Sequence, residues 1–171
     1  MKAVTWLGSW AALAVTAAVV AVLVLAGHLP LLAAVVALLA WAGEAGGVRI
    51  GKEIVARDRP PEAIRLVRAH GWAFPSGHAS EATLAFTVLA MCVTAVTRNR
   101  AVQVLGWLTA GLAIAATAFS RVELGVHWTT DVIASVVFTA IWLTAIAVLL
   151  GGRLRPAARI VHTHADEYGA Q

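Results

Sequence analysis

Residues 3–43 read AVTWLGSWAALAVTAAVVAVLVLAGHLPLLAAVVALLAWAG and contain no Asp, Glu, Lys or Arg. A helix needs roughly 20 predominantly apolar residues to cross the hydrocarbon core of a bilayer. This run therefore has room for two crossings. Gly27-His-Leu-Pro30 marks the turn between them, pairing a residue free to adopt positive φ with one that cannot continue a helix. Three more uncharged intervals follow, between Glu81 and Arg98, Arg100 and Arg121, and Asp131 and Arg153. The pattern predicts an all-α, polytopic transmembrane helix bundle of about five spanning helices, near 6–27, 30–51, 78–97, 101–119 and 128–150. Residues 1–150 form one transmembrane domain and 151–171 a polar C-terminal tail, whose His162 and His164 read as solvated side chains.

Composition leads to the same class. The chain is 60% hydrophobic and 13% charged, with mean hydropathy +0.82, against roughly 45–50% and 25% in a soluble domain. Met1-Lys2 ahead of an apolar run resembles a signal peptide, but the run exceeds a signal core of about 7–15 residues, so a retained helix is expected. The net charge of +4 points, in a membrane protein, to anionic headgroups or phosphorylated substrates and not to nucleic acid. A single cysteine, Cys92, makes no internal disulfide.

Polar residues within an apolar chain are costly, so their clustering carries information. Four stretches concentrate them: Lys52 to Pro60, Pro75-Ser76-Gly77-His78, Ser120-Arg121, and His127 to Asp131. The residues between Pro60 and Pro75 contain no apolar run and do not cross; those between His78 and Ser120 cross twice. All four stretches therefore share one side of the membrane. The alternation of apolar and basic residues over 61–70 suits either an interfacial amphipathic helix or an irregular loop.

On that side stand three cations, Lys52, Arg59 and Arg121, two histidines, His78 and His127, and the carboxylate Asp131. Asp131 follows His127 by four residues. On a helix this spacing lets the carboxylate hold one imidazole nitrogen and leave the other free to attack. Helices opening near His78 and His127 aim their N-termini at the same face, where free N–H groups favour an anion. Ser76 adds a hydroxyl and Gly77 permits close approach. This constellation suits a phosphate held by cations, attacked by His127, with His78 protonating the leaving oxygen. A His–His–Asp metal site is the competing reading, opposed by three cations at the same place. A protein that binds anionic lipid without turnover is another; it has no need of a nucleophile and an acid.

The three clusters resemble the signatures of the type 2 phosphatidic acid phosphatase (PAP2) superfamily, K-x6-R-P, P-S-G-H and S-R-x5-H-x3-D. They read here as Lys52…Arg59-Pro60, Pro75-Ser76-Gly77-His78 and Ser120-Arg121…His127…Asp131. The resemblance implies a phosphatase that needs no metal or other cofactor and works through a phosphohistidine. It implies His127 as nucleophile, Asp131 as its orienting partner and His78 as general acid, with Lys52, Arg59, Ser76, Gly77 and Arg121 around the phosphate. The implied substrate is an isoprenoid lipid phosphate or diphosphate, such as an undecaprenyl or decaprenyl carrier, with a glycerolipid such as phosphatidate or phosphatidylglycerophosphate as the alternative. Vanadium haloperoxidases share the signatures but are soluble, unlike this apolar chain. Bacterial membrane relatives usually carry six helices, with the first signature after the third; here it follows the second. Excluding the three proposed ligands, five basic residues lie on each side of the bundle, so charge does not orient it. The resemblance implies the plasma membrane and an active site outside the cytoplasm.

Overall fold

The computed structural model describes residues 9–154, the side chains of 151–154 excepted. Five α-helices follow one another: α1 (Trp10–Leu25), α2 (Leu31–Val55), α3 (Gly77–Val96), α4 (Arg100–Glu123) and α5 (Thr129–Leu154). No strand occurs among the described residues. Four of these helices, α2 to α5, are long and apolar enough to span a membrane, while α1 has 16 residues within the described range. The large apolar side chains Leu38, Leu105, Leu112, Ile141 and Val148 face outward. An exposed apolar belt suits lipid and would be a liability in water. The chain is an integral membrane protein.

Local chemistry sets the helix ends. Ser9 accepts from Ala11 N at the start of α1, and Asn99 accepts from Ala101 N and Val102 N at the start of α4. The expected turn at Gly27–Pro30 joins α1 to α2, with Gly27 at φ +74°. Helix α3 forms the centre of the bundle, and a core cluster of Leu13, Ala40, Leu84 and Ala85 joins it to α1 and α2. Gly43 and Gly47 of α2 face Trp142 and Phe138 of α5 so closely that a Cβ at either glycine would strike the ring. This approach lets Trp142 Nε1 donate to Ala40 O at 2.9 Å. One turn on, a Cβ at Gly51 would lie 2.9 Å from Pro75 Cδ, so the end of α2 lies directly against the loop leading into α3.

Three expectations on boundaries are corrected. Lys52 lies in the last turn of α2, and Ser120 and Arg121 lie within the last turn of α4, not after those helices. Both helices run past their apolar stretch because their polar ends have partners at the site described below. Of the two forms left open for residues 61–70 the irregular loop is the one observed, interrupted by a single 3-10 turn, Glu62–Ile64. The loop is held by Leu66 N donating to Leu124 O and by Gly125, at φ +65°, which passes so near Ile64 O that a Cβ would collide with it. Helix α5 continues past residue 150 to Leu154; His162 and His164 lie outside the described residues.

Candidate active site

One end of the bundle gathers the last turns of α2 and α4, the first turns of α3 and α5, the 56–76 loop and the 124–128 turn. Lys52 extends from α2 and donates through Nζ to Trp72 O at 2.8 Å and Pro75 O at 2.9 Å. Arg59 meets the same carbonyl: Nη2 lies 3.3 Å from Trp72 O and 3.0 Å from His70 O, while Nε donates to Gly71 O at 2.9 Å. Its Nη1 donates to Val126 O at 2.7 Å and lies 3.2 Å from His127 Nε2. Arg121, 5% exposed, lies within electrostatic reach of Arg59, His78 and His127. His78, at the start of α3, lies in the shared field of Arg121, Arg59 and Lys52. The three sequence-predicted cations and both histidines therefore occupy one place.

Ser76 and Gly77 sit where α3 begins. Ser76 N donates to Ser135 Oγ at 2.7 Å, and Ser135 Oγ donates to Asp131 O at 2.7 Å. This link fastens the start of α3 to the first turns of α5. Among the described residues the buried Ser76 hydroxyl takes no hydrogen-bond partner, and a Cβ at Gly77 would meet nothing within 4 Å. Space and a spare hydroxyl lie together at the N-terminus of α3, as an anion site requires.

His127 and Asp131 are neighbours for a different reason from the one the spacing suggested. His127 precedes α5 and is not on a helix. Asp131 folds back over the start of α5, and its Oδ2 accepts from Trp128 N at 2.9 Å, the backward half of a capping box. His127 Nδ1 stands 3.6 Å from the same oxygen, longer than a hydrogen bond. The imidazole is buried, and burial together with the charges of Arg59 and Lys52 lowers its pKa to about 3. It is neutral at physiological pH, as a nitrogen nucleophile must be. Burial and the nearby Arg65 lower the Arg59 pKa from its ordinary value.

Sequence reasoning missed Arg57. It occupies an unspecified position of the first signature, yet its Nη1 pairs with Asp131 Oδ1 at 2.9 Å and donates to Thr130 Oγ1 at 2.6 Å. Its partners lie more than seventy residues away, and only its positive charge offered a signal. Trp128 donates through Nε1 to Asp58 O at 2.9 Å and carries the Arg57 guanidinium over its ring. Glu123 is exposed and takes no ion pair among the described residues. Among those residues, no three His, Cys, Asp or Glu side chains are grouped to hold a metal ion.

The family model of the PAP2 superfamily matches residues 28–155, which contain every residue of this constellation. The chain belongs to the PAP2 superfamily. Its fold matches the crystal structure of a transmembrane PAP2-type phosphatidylglycerolphosphate phosphatase from Bacillus subtilis with a TM-score of 0.80. That likeness is at 22% identity, over 90% of this chain and 76% of that one. At this identity it speaks for the fold. No curated protein matches the chain. The three signatures are separate in sequence, and the helix ends carry them to one place.

Proposed function

We propose that this PAP2 protein is a membrane lipid phosphatase that works through a phosphohistidine on His127 and needs no metal. The observation that carries the reading is the buried His127, whose Nε2 faces Arg59 within a shell completed by Lys52 and Arg121. In the first step Nε2 attacks phosphorus, the P–O bond to the leaving group breaks, and His78 gives that oxygen a proton. The cations hold the phosphoryl oxygens as charge builds on them. In the second step His78 takes a proton from water, the water oxygen attacks phosphorus, and the P–N bond breaks to release phosphate. Asp131 orients His127 and balances the positive charge of the phosphorylated imidazole.

The substrate we favour is an isoprenoid lipid phosphate or diphosphate, with the chain kept in the bilayer and the phosphate at the height of the helix ends. A glycerolipid phosphate is the second reading, favoured by the fold likeness to a phosphatidylglycerolphosphate phosphatase. The test is phosphate release by purified protein in detergent with excess chelator, over a panel of undecaprenyl phosphate, undecaprenyl diphosphate, phosphatidate and phosphatidylglycerophosphate. Turnover of one class identifies the lipid. Turnover that stops in chelator and returns with a divalent cation contradicts the metal-free mechanism. We also place the site outside the cytoplasm. A single cysteine at Arg68, in a Cys92→Ala background, should react with an impermeant thiol reagent in intact cells; labelling only after lysis opposes that orientation.

A further inference from the structure

Arg57 stands outside the phosphate shell but is coupled to it through Asp131. Ala56 adopts a left-handed conformation, φ 44°, which ends α2 and turns the chain back toward α5. Arg57 then lies across the start of α5, with its guanidinium carbon 5.5 Å from the centroid of the Trp128 ring, within cation–π range. Asp131 has a fully buried side chain and divides its two oxygens: Oδ1 pairs with Arg57 at 2.9 Å, and Oδ2 takes Trp128 N at 2.9 Å and faces His127 Nδ1 at 3.6 Å. A carboxylate that already balances one cation exerts a weaker field on a second.

We propose that Arg57 is a positioning residue that fixes Asp131 and, by offsetting its negative charge, keeps the His127 imidazole easily released from phosphorus. The inference rests on the reading of His127 as the nucleophile. The charged groups that face His127 are Lys52 from α2, Arg59 from the loop, Arg121 from α4 and Asp131 from α5, and His78 of α3 shares the field of those three cations. Removing Arg57 leaves these cations in place and gives the whole Asp131 charge to His127. The imidazole then holds a proton more tightly. It also becomes a poorer leaving group in the second step, when the P–N bond breaks and water oxygen takes its place on phosphorus.

The experiment follows histidine ring signals by NMR against pH in Arg57→Gln, Arg57→Lys and unmodified protein, with His127→Gln to assign His127. The pH profile of lipid phosphate hydrolysis is recorded alongside. Arg57→Gln should raise the His127 pKa by about half to one unit, the effect of a partly exposed charge partner. The acid limb of kcat/KM should move up with it, and kcat should fall more than kcat/KM. Arg57→Lys should stay near the unmodified protein on the pH axis. An unchanged His127 titration in Arg57→Gln overturns the proposal, even where activity falls because the loop has loosened. Failure of the phosphatase reading would look different: the unmodified protein would hydrolyse no lipid phosphate, while the titration would still decide whether Arg57 acts on His127.

Discussion

Arg59 Nη1 lies 3.2 Å from His127 Nε2, so a fixed cation stands beside the one nitrogen that Asp131 does not face. A phosphoryl group carried on that nitrogen would bring its oxygens directly onto the guanidinium. The same side chain ties the loop carbonyls of His70 and Gly71 to that of Val126, so positioning of the cation and closure of the loop are one event.

Arg59→Lys keeps the charge and loses the planar fork. A lysine cannot reach the four carbonyls of His70, Gly71, Trp72 and Val126 and also present paired donors to a phosphate. We expect kcat/KM to fall about ten- to a hundredfold, the worth of one charge-assisted hydrogen bond, and the melting temperature to fall with it. Kinetics and thermal unfolding of the purified variant check both; unchanged values for the pair would remove Arg59 from the site.

Asp131→Asn should weaken turnover without abolishing it. The amide oxygen can still accept from Trp128 N, but the side chain no longer balances Arg57 or a charged imidazole. A loss of about ten- to a hundredfold is expected. The measurement is the rate across neutral and mildly acid pH, where an unaltered rate would oppose the orienting role.

Stability should depend on pH through His127. Its folded pKa, about 3, lies below its ordinary value of 6.5, so between these values the unfolded chain binds a proton that the folded one does not. This contribution is complete above pH 6.5 and is lost as pH falls toward 3, at no more than about 1.4 kcal/mol per pH unit. Thermal unfolding of the detergent-solubilised protein should show a melting temperature that drops on acidification below pH 6.5. His127→Gln should flatten that dependence, and an equally steep curve in the variant would contradict it.

Gly125→Ala tests how the loop is held. The residue has φ +65°, and the added methyl would meet the backbone oxygen of Ile64, which cannot swing aside as a side chain can. A loss of about 1–3 kcal/mol is expected, with reduced activity because Val126 and His127 follow directly. Circular dichroism melting gives the answer; a variant as stable as the parent would show that the contact relaxes without cost.

The helical crossings were legible because charge is excluded from long intervals of this chain, and the sharing of one membrane side by the signatures follows from counting them. The fine structure of the site was not legible, for physical reasons. The relation of His127 to Asp131 comes from a capping turn before α5, where the spacing suggested a shared helix face. Lys52, Ser120 and Arg121 sit inside helices because partners at the site support polar residues that apolarity alone would exclude. The alternation over 61–70 left helix and loop equally open, and contacts with Leu124 and Gly125 distant in sequence decide for the loop. Arg57 was hidden because its partner is distant in sequence and its position in the signature is unspecified.

The central claim is a covalent bond between phosphorus and His127 Nε2. The direct measurement is rapid mixing of the protein with a lipid phosphate carrying 32P, quenched in alkali, where phosphohistidine survives, and digested to locate the label. The account predicts a transient, acid-labile label on the peptide containing His127, and none in His127→Ala, which should insert normally and lose several orders of magnitude in turnover. Phosphate release at a normal rate by a well-folded His127→Ala protein, or a label that remains when His127 is gone, would contradict it.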